Sequence, residues 1–308
     1  MSSKDVSIVI AVYNGQDVIK EQMNSLLGQT YPIKEVIIID DCSTDTSEAV
    51  IRKYIEENKL NEHWRYIRNE KNIGYANNFR KGTLLARGDY IFFCDQDDRW
   101  YSNKIEDMVD LMEKDSNIQL LCTEYRPFFT TKKNVGNAVK RQEMTGKIEH
   151  KERTTRNLFL QAEGCTMGFR KKLIDEHKHL WREGWAHDDF IWKMAILEDG
   201  CFIWHKALID RRFHEGNATN NYLGTKEKRK AFFERGIRYS QVILNEFADS
   251  YSDGEPYRIV KRYNNFFQLR FGLVFEHAYR NAFILFLSYR DCYPTAKSYI
   301  RDVIEAVR

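Results

Sequence analysis

Proline is scarce, with 4 residues in 308, and charge of one sign is nearly absent: 48 Lys and Arg against 45 Asp and Glu leave +3. With 43% hydrophobic residues, this excludes the proline-rich, weakly hydrophobic profile of disordered chains. The near balance of charge argues against a protein built to coat nucleic acid, so an anionic partner has to be held locally. Long apolar runs are missing too. The longest, 6–13 and 282–289, fall far short of the roughly 20 residues that span a bilayer, so no segment is expected to cross a membrane. No small-residue cleavage site follows the first apolar run, which argues against a signal peptide and for a cytoplasmic protein. Cys42, Cys94, Cys122, Cys165, Cys201 and Cys292 show no CxxC spacing, so reduced, mostly structural thiols are expected rather than a zinc site or a disulfide scaffold. The length fits one large domain or two unequal ones.

The first ninety-odd residues instead show a regular alternation of β-type and helix-type patterns. Residues 6–12 are a β-branched run ended by Asn14-Gly15, followed over 17–29 by apolar positions at helical spacing. A second buried strand, 35–39, ends at Asp40-Asp41, and Ser43-Thr44 offer N-cap chemistry for a helix to about Glu57. A third strand over 64–67, a helix over 74–86 and a fourth strand over 90–94 complete the series. Such alternation predicts an α/β fold with a mostly parallel sheet and helices on both faces, its ligand beyond the carboxyl ends of the strands. Farther on, 104–113 reads as a helix, 119–123 as a strand and 132–151 as a polar, basic, mobile loop. From Lys226 the pattern is helical, and its 15 basic against 10 acidic residues concentrate positive charge there. The boundary falls near 222–226.

The acidic run Asp95-Gln96-Asp97-Asp98 follows an apolar strand directly. Crowded carboxylates are costly unless paired, and a hard divalent cation such as Mg²⁺ or Mn²⁺ would keep them together while leaving coordination positions for substrate phosphates. A solvated acidic turn is the plainer alternative. Asp95, Asp97 and Glu106 also fall at EF-hand positions, but Trp100 stands where that loop needs glycine.

Taken in order, Ser7-Ile8-Val9-Ile10-Ala11-Val12-Tyr13-Asn14, then Val36 to Asp45 with Asp40-Asp41, then Asn72-Ile73-Gly74 to Gly88-Asp89-Tyr90, then Asp95-Gln96-Asp97-Asp98 resemble the successive motifs of family 2 glycosyltransferases with the GT-A fold. Asn78-Phe79 and Asp-Gln-Asp-Asp-x-Trp resemble its bacterial rhamnosyltransferase-like branch, which builds cell-surface polysaccharides. The resemblance covers about residues 5–220 and implies a GT-A domain over 1–224 with a helical extension over 225–308. It implies that Tyr13 and Asp41 hold the nucleotide base, with Ala11, Asp95, Gln96 and Arg212 also on the nucleotide-sugar side. Asp97 is then a metal ligand, and Asp98 either a further acidic candidate or a cap or hydrogen-bond partner for 100–104. Arg211-Arg212-Phe213-His214 resembles a Tyr-Arg-x-His segment with Arg211 replacing the tyrosine; these groups would bind the diphosphate, or His214 would complete the metal site. Gly164, Cys165, Trp100 and His187 fall in the acceptor and sugar pocket.

The same resemblance aligns Asp188, in Trp185-Ala186-His187-Asp188-Asp189, with the general base of an inverting transfer. Asp189 reads as the cap of the following helix, and His187 as an orienting or packing residue that stays a candidate base. The implied reaction is metal-dependent inverting transfer of rhamnose or a hexose, from dTDP-rhamnose or a UDP-hexose, to a hydroxyl of a glycan precursor, with a lipid-linked acceptor. A Rossmann-type dehydrogenase is disfavoured because Tyr13-Asn14-Gly15-Gln16 never forms GxGxxG. A non-catalytic nucleotide-sugar-binding homologue is the other alternative. In the tail, Tyr263, Phe267, Phe271, Phe275, Tyr279 and Phe283 recur every fourth residue, a stripe that winds around an ideal helix. It predicts packing against the catalytic domain or a second subunit, or else peripheral contact with anionic lipid on the inner face of the cell membrane.

Overall fold

A computed structural model describes residues 4–130, 144–213, 225–250 and 254–307. The chain divides into two compact units: 1–151 with 160–217, and 152–159 with 218–308.

The first unit is built on one mixed sheet. Its parallel half comprises β1 (Val6–Val12), β2 (Glu35–Asp40), β3 (Trp64–Arg68) and β4 (Tyr90–Asp95), in the order β3-β2-β1-β4. Helices α1 (Ile19–Leu27), α2 (Ser47–Glu57) and α3 (Tyr75–Leu85) make the crossovers. β1 and β2 are continuous apolar runs because both faces of the sheet are covered: Ile8, Val9, Ile10 and Val36 to Ile39 have no exposed surface. The register sets Ala11 opposite Asp95 on one side and Ile39 on the other. The chain leaves β1 toward β2 and returns on the other side as β4, so a switch point opens between the ends of β1 and β4, where such sheets bind ligands.

The sheet continues through β8 (Met167–Arg170), β6 (Leu120–Phe129), β9 (Cys201–Phe213) and β5 (Arg99–Trp100), with β7 (Ile148–His150) pairing with β9. β8 is antiparallel to both β4 and β6, whereas β6 and β9 run parallel. Helices α4 (Lys104–Lys114), α5 (Lys171–His177) and α6 (His187–Leu197) complete this unit. Of the expected loop at 132–151, residues 132–143 lie outside the described residues, and 148–150 form a strand.

Three local expectations are corrected. Ser43 and Thr44 do not cap α2: Ser43 Oγ accepts from Asn14 N and Thr44 N donates to Asn14 Oδ1, tying the β1 and β2 loops together. The helix begins at Ser47, whose N–H donates to Asp45 Oδ1. Asp189 does not cap α6 but sits inside its first turn, where it accepts from Trp185 Nε1 at 2.8 Å and pairs with Lys193. The aromatic stripe of the tail does not wind around one helix, because that helix ends at Phe275.

The second unit contains α7 (Lys226–Ser250), α8 (Glu255–Phe275), α9 (Arg280–Ser288) and α10 (Ala296–Ala306). The α8–α9 break has a local cause: His277 takes a positive φ of 54°, and the N–H groups of Glu276 and Ala278 both donate to Gly272 O. Tyr263 and Phe267 are buried inside this unit, where Phe159 stacks on Phe267 at 5.7 Å, while Phe283 beyond the break is exposed. Asp302 has no exposed surface and gathers Arg229, Arg270 and Tyr293, with Arg270 Nε 2.7 Å and the Tyr293 hydroxyl 2.8 Å from Oδ2. Asp302→Ala would leave two buried guanidiniums facing each other and is expected to cost about 3 kcal/mol, read as a lower urea midpoint for this unit.

Candidate active site

The carboxyl ends of β1, β2 and β4 assemble the site. Asp40 is wholly buried and structural: it accepts from Ser43 N at 2.7 Å and from the Tyr66 hydroxyl at 2.6 Å. Asp41 is also buried, and its two oxygens accept from Asn69 Nδ2, Ile73 N and Gly74 N at 2.8–2.9 Å. The carboxylate therefore shapes the loop that leads into α3. Tyr13, by contrast, exposes about half of its surface, and its backbone is held in place. Gln96 accepts from Tyr13 N at 2.9 Å and donates to Tyr13 O at 3.1 Å, lacing the end of β1 to the acidic run.

Within that run, Asp95 and Asp98 converge with Cys165, their ligand-type atoms all within 4.8 Å of one another. Asp97 stands outside this group, although its charge is close enough to act on Asp95. Burial and then the neighbouring carboxylates push both Asp95 and Asp98 above the usual carboxylate range. The Cys165 thiol donates to Asp95 and works in the other direction. Asp98 Oδ1 accepts from Arg212 N at 3.0 Å, so it is not a cap for 100–104, while its buried Oδ2 has no hydrogen-bond partner among the described residues. An unsatisfied carboxylate oxygen beside a second carboxylate fits a divalent cation: Mg²⁺ or Mn²⁺ would offset the cost of holding these buried acids ionised. Asp95 and Asp98 are the residues placed to hold it. His214 lies outside the described residues.

The two arginines divide the work differently from the sequence expectation. Arg212 ties the acidic run to α1: Nε donates to Asp97 O at 2.7 Å, its tip pairs with Glu21 of α1, and it lies 4.6 Å over the Phe128 ring. Arg211 is the one beside the site. Its burial disfavours charge, but Cys165, Glu163, Asp95 and Asp98 more than offset that and hold the guanidinium firmly protonated. The replacement of the family's tyrosine by Arg211 was the signal available in the sequence. Lys104 gave none. It is completely buried at the start of α4, its Nζ sits 4.7 Å over the Trp100 ring without a hydrogen-bond partner among the described residues, and burial lowers its pKa to about 8. Trp100 is buried against it and against Phe92.

On the other side, α6 presents Asp188 at its N-terminus. This carboxylate is partly exposed, with Oδ1 accepting from Asp189 N at 2.8 Å; burial, and next the Asp189 charge, push its pKa up to about 7. His187 packs inward, stacked on Phe79 at 3.8 Å and edge-on to Phe93 at 4.6 Å, with neither ring nitrogen hydrogen-bonded among the described residues. Burial lowers its pKa to about 3, which keeps the ring neutral and makes it a weak base near neutrality. Gly164 makes this packing possible, since a Cβ there would stand 2.7 Å from His187 Nε2. The site thus joins a cluster of acids and one arginine, able to hold a cation and phosphate, to a second carboxylate poised to take up a proton near neutrality.

The family model "Glycosyl transferase family 2" matches residues 7–176, more than half of the chain, and the protein belongs to that family. It is a glycosyltransferase, which removes the dehydrogenase alternative. It is similar to the putative teichuronic acid biosynthesis glycosyltransferase TuaG of Bacillus subtilis, 36% identical over 107 residues, 35% of this chain and 41% of that protein. The UDP-Glc:alpha-D-GlcNAc-diphosphoundecaprenol beta-1,3-glucosyltransferase WfaP of Escherichia coli is 37% identical over 116 residues, again 35% of this chain and 41% of the relative. In both cases the match spans less than half of the relative. An uncharacterized glycosyltransferase of Rickettsia typhi matches over more of its length, 26% identical across 74% of this chain and 70% of its own. Among solved structures, Staphylococcus aureus TarS 1–349 in complex with UDP-GlcNAc superposes with a TM-score of 0.64 at 21% identity, covering 99% of this chain and 82% of TarS 1–349. The fold is GT-A, followed by C-terminal helices.

Proposed function

We propose that the chain transfers a sugar, with inversion, from a nucleoside diphosphate donor to a hydroxyl of a cell-surface polysaccharide precursor. The observation that carries this reading is the pairing of two separate acid groups: the Asp95–Asp98 cluster with Cys165 at the switch point and Asp188 at the start of α6. Tyr13 offers the exposed ring for the base, and Arg211 the guanidinium for the diphosphate. Ala11, beside Asp95, lets the donor approach the end of β1. A divalent cation held by Asp95 and Asp98 would supply charge stabilisation for the departing nucleoside diphosphate. Asp188, ionised above its raised pKa, takes the proton of the acceptor hydroxyl.

The relatives support the substrate class: TuaG is named for teichuronic acid biosynthesis and WfaP for a diphosphoundecaprenol-linked acceptor. A UDP-hexose or dTDP-rhamnose donor and a lipid-linked acceptor are therefore the substrates to test first. Thermal-shift titrations with UDP, dTDP and GDP, with and without Mn²⁺, test the donor side, because a ligand that binds only the native state raises apparent stability. A shift with UDP or dTDP that grows with Mn²⁺ supports the reading. No shift with any nucleotide would overturn it.

A further inference from the structure

We propose that the outward face of α9 and α10 is a docking surface for an anionic lipid bilayer. The inference goes beyond the sugar-transfer reading and does not depend on it. On α9, Phe283, Phe286 and Leu287 stand at i, i+3 and i+4, and on α10, Ile300 and Ile304 stand at i and i+4 with Val307 capping the helix at i+7, so each set shares a helix face. All six are exposed, Phe283 to 69%, Leu287 to 61% and Val307 to 70%. Isolated exposed apolar residues are ordinary, but this many on two joined helices form a patch that needs a partner. The join is direct: the Phe286 and Tyr299 rings lie 5.9 Å apart, and the Tyr299 hydroxyl donates to Ala282 O.

The charges around the patch choose the partner. Its acids are paired, with Asp302 holding Arg229 and Arg270, Glu305 holding Arg229 and Arg301, and the exposed Asp291 holding Arg262. Arg280, Arg290 and Lys297 are exposed and have no ion pair among the described residues. The face therefore combines bulky apolar side chains with uncompensated cations, the pairing that binds an interfacial helix to anionic headgroups. A second copy is the poorer occupant, since a self-complementary interface would gather two sets of these cations on one buried surface. No described helix is long and apolar enough to cross a membrane, so contact of this kind would be peripheral.

The test is flotation of the full chain with vesicles of phosphatidylcholine alone, or of phosphatidylcholine with roughly 30% phosphatidylglycerol. It contains no nucleotide sugar, so its failure is separate from any failure of glycosyl transfer. Binding to the anionic vesicles is expected to exceed binding to the neutral ones by about tenfold and to weaken with salt. Phe283→Ser with Leu287→Ser, both at exposed positions, and separately Arg280→Gln with Lys297→Gln, are each expected to lower it by about tenfold while circular dichroism stays unchanged. No flotation with anionic vesicles, or equal flotation with both kinds, would overturn the proposal. So would a dimer in light scattering that Phe283→Ser with Leu287→Ser turns into monomer while wild type ignores vesicles.

Discussion

Asp188→Asn is expected to lower kcat about a thousandfold while leaving the KM for the donor nearly unchanged, because the amide keeps the shape of the carboxylate but cannot accept the acceptor's proton. Wild-type kcat should then rise with pH through an apparent pKa near 7, the raised value of Asp188, since only the ionised form acts as a base. The same substitution should move stability the opposite way. A carboxyl group whose folded pKa lies above its ordinary value favours the folded state fully only at low pH, and that contribution is lost as pH rises toward 7. Asp188→Asn removes the loss, so the variant should match wild type near pH 4 and exceed it by about 1–2 kcal/mol at pH 8, a modest figure because water reaches this partly exposed side chain. A purely structural aspartate would give no thousandfold loss in a protein that had become more stable. Urea melts at the two pH values, beside a turnover assay, check both halves.

The second large effect is expected at the cation site. Asp98→Asn keeps the Oδ1 acceptor that Arg212 N uses, so the connection between the acidic run and β9 survives. It removes one of the two carboxylates that converge with Cys165. Nucleotide affinity in the presence of Mn²⁺ should fall about a hundredfold, with little change in its absence and no loss of thermal stability. Asp95→Asn should behave alike. Isothermal titration with UDP or dTDP, with and without Mn²⁺, separates this from a structural role, which would weaken binding equally in both conditions. A full metal response in both variants would move the site to Asp97.

The parallel half of the fold was legible because burial on both faces of a sheet writes itself as unbroken β-branched and aromatic runs, at 6–12, 35–40 and 90–95, each ended by the polar residues that need solvent or ligand. The mixed half was not. β9 runs from Cys201 to Phe213 with bulges against β6, and its alternation is interrupted by His205, Lys206 and two arginines. The convergence of Cys165 on Asp95 and Asp98 needs β8 to lie antiparallel beside β4, a pairing no local pattern announces. Helix ends misled for a similar reason: Ser43 and Thr44 have cap chemistry, but Asn14 uses them for a contact between loops. In the tail, spacing showed the aromatics but not the backbone reversal at His277 that puts Tyr263 and Phe267 inside while Phe283 is outside. Asp188 and Asp41 stand out in the sequence only through their motif, since a lone aspartate near a helix has many structural uses, and Asp41 has one here in the loop before α3.

The measurement that bears most directly on the central claim is release of nucleoside diphosphate from UDP-glucose, UDP-N-acetylglucosamine and dTDP-rhamnose, with Mn²⁺ and a lipid-linked N-acetylglucosamine acceptor, by wild type and Asp188→Asn side by side. The account predicts acceptor-dependent release from one donor by wild type, rising through pH 7, and about a thousandfold less from the variant. Release at equal rates by both proteins, or none from any donor, would contradict it.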